Sequence, residues 1–179
     1  MIDATAANST ITAADVINGG AGADVLNITG VGAVGDALNG ALVSGIETVN
    51  IRSTTSTTLN ASNAAGVTAI NANFGAGTVL VTNLAVGASI GITGNGTVVQ
   101  GEVAFAPVTA ASAITLNIAG GVKQTEGNVG VTAAAAIANA GATGTATTAT
   151  INSTGAANIT GIVDLANNTL TSVTINLNP

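Results

Sequence analysis

Short segments rich in Val, Ile and Thr recur along this chain, each bounded by Gly or Asn, and that recurrence limits the fold more than any other feature. Ile46-Glu47-Thr48-Val49-Asn50-Ile51 is followed by Thr57-Thr58-Leu59-Asn60-Ala61, Val67-Thr68-Ala69-Ile70-Asn71-Ala72, Thr78-Val79-Leu80-Val81-Thr82 and Ser89-Ile90-Gly91-Ile92-Thr93. Successive segments begin roughly 10 residues apart, a spacing expected of all-β repeats. β-Branched side chains fit the pleated surface of a strand, while Gly and Asn accept the backbone conformations of turns. Laying Gly45–Ile51 over Gly66–Ala72 aligns the Gly, the β-branched second residue, the central aliphatic and the Asn. Ala113–Ile118, Ala149–Asn152 and Val173–Leu177 repeat the aliphatic-Asn theme. The pattern predicts an all-β fold, a β-solenoid of parallel β-helix or β-roll type built from short repeats of about 10 residues, in which each coil need match only its neighbours. Residues 1–179 are expected to form one repetitive domain, with a calcium-turn-like region at 15–39 and degenerate strand repeats over 43–179.

Composition agrees with a thin core. Phe74 and Phe105 are the only aromatics, so the interior must be filled by Ala, Val, Ile and Leu, as between the narrow walls of a solenoid. With 6% of residues charged, the polar surface has to come from Thr, Ser, Asn and backbone. Arg52 and Lys123 are the only basic residues, too few to neutralise phosphates, which argues against nucleic acid as a partner. A net charge of -6 repels anionic lipid and suits divalent cations. Cys is absent, which removes disulfides and thiolate metal sites. Apolar runs are broken well before the roughly 18 residues a membrane span requires, so no membrane insertion is expected. Nor does the N-terminus show the basic and apolar regions of a signal peptide.

Two segments depart from the repeat. Gly101–Val108, with Phe105 and Pro107, suggests a bulge or an edge where a coil is interrupted. Thr132–Ala142 reads either as a short helix ended by Gly141 or as an Ala-rich loop or strand.

One motif carries chemistry. Gly19-Gly20-Ala21-Gly22-Ala23-Asp24-Val25-Leu26-Asn27 matches the calcium-binding nonapeptide G-G-x-G-x-D-x-U-x at every fixed position. Glycines let such a turn curl so that carbonyls point inward, the Asp adds a hard anionic oxygen, and the aliphatic residue enters the core. Asp15-Val16-Ile17-Asn18 repeats the second half nine residues upstream, and Gly35-Asp36-Ala37-Leu38-Asn39 resembles a shifted third copy. The expected calcium ligands come from Asp15, Asp24, Asp36 and the carbonyls of Gly20 and Gly22; the alternative is a plain turn that has lost its ion. Glu47, within a strand repeat, reads as a solvated outward side chain. The Asn residues read as side-chain ladders and turn caps rather than ligands.

No catalytic constellation accompanies this motif. The chain has no His, Cys or Tyr and no Gly-x-Ser-x-Gly elbow, and its other acids, Asp3, Glu102, Glu126 and Asp164, are scattered. The expectation is a protein that is not an enzyme.

The wording of Asp15–Asn27, followed by Leu42–Ile51 and Leu59-Asn60-Ala61-Ser62, resembles the Gly/Thr/Ala-rich RTX-type surface-layer (S-layer) proteins and large repetitive adhesins that bacteria export by type I secretion. The resemblance implies a calcium-dependent β-solenoid on the extracellular face of a bacterial cell, exported without a cleaved leader. It also implies self-association into a lattice or filament, with cell-surface glycan as a further partner. Since tandem nonapeptides are missing and the C-terminus lacks the expected secretion signal, the chain is expected to be a segment of a longer surface protein. The leading expectation is a structural, self-assembling component of a surface layer. The alternative is an adhesin or ligand-binding stalk, with an ice-binding solenoid as a special case motivated by Ser53–Thr58 and Thr143–Thr150.

Overall fold

The computed structural model describes residues 2–6, 11–30, 33–34, 36–107, 113–124, 137–139, 146–165 and 170–178. Its strands wind around one axis and distribute over three sheets, here the long, second and short faces. β1 (Ile2–Ala6) opens the long face, and the chain proceeds through β2 (Val16–Asn18, short), β3 (Val25–Gly30, long), β4 (Ala33–Val34, second), β5 (Leu42–Ser44, short), β6 (Thr48–Ser53, long) and β7 (Ser56–Asn60, second). A 3-10 turn at Ala61–Asn63 leads to β8 (Ala64–Ala65, short), β9 (Ala69–Asn73, long) and β10 (Thr78–Leu84, second). Thereafter the path alternates between the long and second faces through β11 (Ser89–Thr93), β12 (Val103–Pro107), β13 (Ala113–Ala119), β14 (Ile137–Asn139), β15 (Thr148–Thr154), β16 (Val163–Asp164) and β17 (Ser172–Asn178). Every pairing between these strands is parallel. The fold is therefore a parallel β-solenoid, with strands on three faces over its first coils and, among the described residues, on two beyond, where a parallel bridge between Lys123 and Ile159 adds a contact off those faces.

The ten-residue spacing in the sequence is the step from one face to the next, and a full coil is about twice that. On the long face, stacked positions lie 23, 21, 35 and 24 residues apart at Asn27/Asn50, Asn50/Asn71, Asn117/Asn152 and Asn152/Asn176. Alternation does the rest: β3 reads half-buried, buried, half-buried through Val25–Gly30, and β13 repeats it from Thr115 to Ala119. Leu26, Ile28, Val49, Ile51, Ile70, Ile90, Ile92, Leu116 and Ile118 from the long face meet Leu59, Val79, Val81, Val103 and Phe105 from the second face in one continuous core. Ile11, Leu38, Ala41, Val43 and Ala64 close the third side of the early coils. At the last long-face strand the inward residues Val173, Ile175 and Leu177 are exposed.

Within Gly101–Val108, the described residues 101–107 do not interrupt the solenoid, and Val108 lies outside the described residues. β12 pairs in parallel with β10, and the irregularity falls on β10, where three steps from Val81 to Leu84 face two from Phe105 to Pro107. The extra residue is accommodated near Asn83, held at φ 54°, a left-handed value that Asn tolerates. Within 132–142, the described residues Ile137–Asn139 are extended and pair with Val103–Phe105; the rest of that segment lies outside the described residues. No helix among the described residues is long and apolar enough to cross a membrane.

Close stacking at the corners depends on glycine. A Cβ on Gly101 would lie 2.5 Å from the Gly77 carbonyl, and one on Gly77 would lie 2.4 Å from the Thr55 nitrogen. These backbones touch across three successive coils, leaving no room for a methyl.

Candidate functional site

The nonapeptide turn occupies the corner between β2 and β3. Gly20 and Gly22 adopt φ of 91° and 131°, which lets the chain reverse within a few residues and enter β3 at Val25. One coil on, Gly45, at φ 59°, performs the same reversal between β5 and β6. The two turns are in close backbone contact: Gly19 N–H donates to the Ser44 carbonyl at 3.0 Å, and a Cβ on Gly45 would fall 2.8 Å from the Gly20 carbonyl oxygen.

Stacking brings Glu47 onto Asp24. The Glu47 carboxylate accepts the Asp24 backbone N–H at 2.7 Å, while the Asp24 carbonyl accepts N–H groups from Glu47 and Thr48 at 3.2 and 3.1 Å. Both side chains are half-buried. The Asp24 carboxylate oxygen Oδ2 is shielded from solvent and has no hydrogen-bond partner among the described residues. Glu47 is therefore not the solvated outward side chain expected from its strand context. It faces Asp24 because a 23-residue coil separates them, whereas counting in steps of nine leads from Asp24 to Leu42.

The other expected ligands sit elsewhere. Asp15 precedes β2, at a different corner of the same coil, where its Oδ2 accepts from Thr12 N and Oγ1 at 2.7 and 3.2 Å. The Asp36 Oδ1 accepts the N–H groups of Leu38 and Asn60 at 3.2 and 3.1 Å, fastening β7 to the coil below. Both use their oxygens as turn caps. Of the five expected ligands, Gly20, Gly22 and Asp24 share one turn, and Asp15 and Asp36 do not join them. Among the described residues no group of three or more His, Cys, Asp or Glu could hold a metal ion, so a cation at this corner would depend on Asp24, Glu47 and backbone carbonyls.

The second organised feature is the outward side of the long face. Asn50 donates to Asn27 at 2.9 Å, Asn71 to Asn50 at 3.0 Å, Asn152 to Asn117 at 2.8 Å and Asn176 to Asn152 at 2.7 Å. Gly91 holds the position between Asn71 and Asn117, and a Cβ there would meet the Asn71 Oδ1 at 2.0 Å. By register, Asp3 of β1 continues the column below Asn27. Thr48, Ser89, Thr150 and Thr174 flank it on one side, and Thr29, Arg52, Thr93 and Thr154 on the other. The Thr-rich run Ser53–Thr58 makes no comparable row: Ser53 and Thr57 turn inward and share a buried 2.9 Å hydrogen bond at the corner.

In comparison with known proteins, no family model matches the chain, and no curated protein or solved structure matches it either.

Proposed function

We propose that this chain is a non-catalytic structural module of an extracellular bacterial surface layer, self-assembling and strengthened by calcium at the Asp24–Glu47 corner. The observation that carries the reading is the shielded, unpartnered Oδ2 of Asp24, a residue whose backbone N–H is held by the Glu47 carboxylate of the next coil. A carboxylate oxygen removed from water without a partner is costly. A hard cation relieves that penalty, taking oxygens from Asp24, Glu47 and the carbonyls of Gly20 and Gly22. Such an ion would join consecutive coils and stiffen the wall. The in-register Asn pairs support a structural role of the same kind, since on both sides of the break at Gly91 they fasten consecutive coils by side chain as well as backbone.

The test is a melting curve with light scattering in millimolar calcium and in excess chelator. At a hundredfold excess over Kd, a bound ion adds about 2.7 kcal/mol of stability. For a chain of this size that is a rise of roughly 5–10 °C in Tm. Growth in particle size should accompany it. If neither Tm nor size responds to calcium, the corner is only a turn and the reading fails.

A further inference from the structure

We infer that the outward side of the long face is a self-complementary interface, and that its occupant is the same face of a second copy of this chain. The inference rests on the self-assembly proposed above and names the surface through which it occurs.

Charge distribution argues first. Each copy carries a net charge of -6, so two copies approach closely only where acids are absent. From β3 to β17 the three outward columns of the long face contain no Asp or Glu, and Arg52 is their only charged residue. Asp15, Asp24, Asp36, Glu102 and Asp164 lie on turns or on the other faces, Glu47 is engaged at the border with Asp24, and Asp3, paired in register with Asn27, marks the β1 end at which the acid-free face stops.

Hydrogen-bonding capacity argues next. The interior rungs Asn50 and Asn152 each use one N–H and one lone pair along the column, and the end rungs only one or the other, leaving N–H donors and carbonyl lone pairs for a partner. The flanking Thr and Ser hydroxyls both donate and accept. Donors and acceptors are thus balanced on one surface, and two identical surfaces can satisfy each other without a third chemistry. The face is also large enough. The seven strands β3 to β17 of this face, at ~4.8 Å spacing and with about five residues of each, give roughly 550 Å² per copy, or ~1,100 Å² in a pair, just above the ~1,000 Å² that a specific interface needs.

One end of the face supplies an anchor. Arg52 and Phe74, residue types favoured at binding hot spots, border a cleft completed by Asn27, Thr29, Asn50 and Asn73. Phe74 is 36% exposed and held at φ 50°, a conformation that a bulky residue rarely adopts. Strain that keeps an aromatic at the surface is a mark of function rather than of packing.

The experiment is sedimentation equilibrium of the whole chain, with and without calcium, for the wild type and the double variant Thr93→Glu/Thr150→Glu. Both side chains face outward in flanking columns, on strands separated by β13. Their carboxylates would oppose acids on an identical partner, and the self-association Kd should rise at least ~100-fold while circular dichroism and Tm stay those of the wild type. Arg52→Glu, at an exposed position, provides the same readout should the double variant fail to fold. A wild type that assembles together with variants that assemble equally well would overturn this surface and leave self-assembly standing. A wild type that stays monomeric in both conditions would overturn both. A monomeric wild type that instead co-sediments with insoluble neutral polysaccharide, and loses this with either variant, would assign the face to glycan and refute the second copy.

Discussion

Asn50→Ala is the most informative single perturbation of the stacked columns. Asn50 is an interior rung: it donates to Asn27 at 2.9 Å and accepts from Asn71 at 3.0 Å, so truncation removes two hydrogen bonds at once. A neutral hydrogen bond contributes about 0.5–1.5 kcal/mol net. The orphaned groups on Asn27 and Asn71 are only half-buried and regain water in part, which keeps the loss near the sum of two such bonds, about 1–3 kcal/mol. At roughly 2–4 °C per kcal/mol, Tm should fall by ~2–12 °C in a thermal melt followed by circular dichroism. Thr48→Ala is the control, because it lies on the same strand and the same side of the sheet but outside the column. That change should stay within about 0.5 kcal/mol. If Asn50→Ala melts within a degree of the wild type, or no lower than Thr48→Ala, the ladder does not fasten the coils.

Other perturbations probe other levels of the account. Phe105→Ala empties the position of the largest fully buried side chain and should cost about 3–5 kcal/mol, read as a large drop in the chemical-denaturation midpoint. Gly101→Ala would drive a methyl into the Gly77 backbone; a loss of about 1–3 kcal/mol is expected by the same assay, and an unchanged midpoint would show that the coils can separate at that corner. Because the chain has no Cys, register can be read by cross-linking: Thr150→Cys with Thr174→Cys should oxidise to a disulfide, and Thr150→Cys with Asn178→Cys should not.

Much of the fold is legible in the residues, and the reason is local. Strand segments such as Thr78–Thr82 and Ser89–Thr93 announce themselves by composition and alternation; the second is a strand at those bounds, and the first lies within β10, which runs on to Leu84. The coil length is also written in the chain, in the repeated aliphatic-Asn pairs Leu26-Asn27, Val49-Asn50 and Ile70-Asn71, whose register partners these are. The nine-residue offset between Asp15 and Asp24 obscures it. That offset relates two corners of one coil rather than two stacked positions, because a β-strand on each face must be completed before the path returns. Counting by the Asn pairs instead places Glu47 over Asp24 directly. The caps are less accessible. The Asp36 bond to Leu38 is local, but its bond to Asn60 depends on a contact between coils 24 residues apart, which no short window of sequence contains.

Isothermal titration of calcium into the wild type, Glu47→Gln, Asp15→Asn and Asp36→Asn tests the central claim most directly. The account predicts binding by the wild type that is retained by Asp15→Asn and Asp36→Asn and lost in Glu47→Gln, since only Glu47 shares the corner with Asp24. Binding that survives in Glu47→Gln, or that disappears in Asp15→Asn, would contradict a cation held between stacked coils.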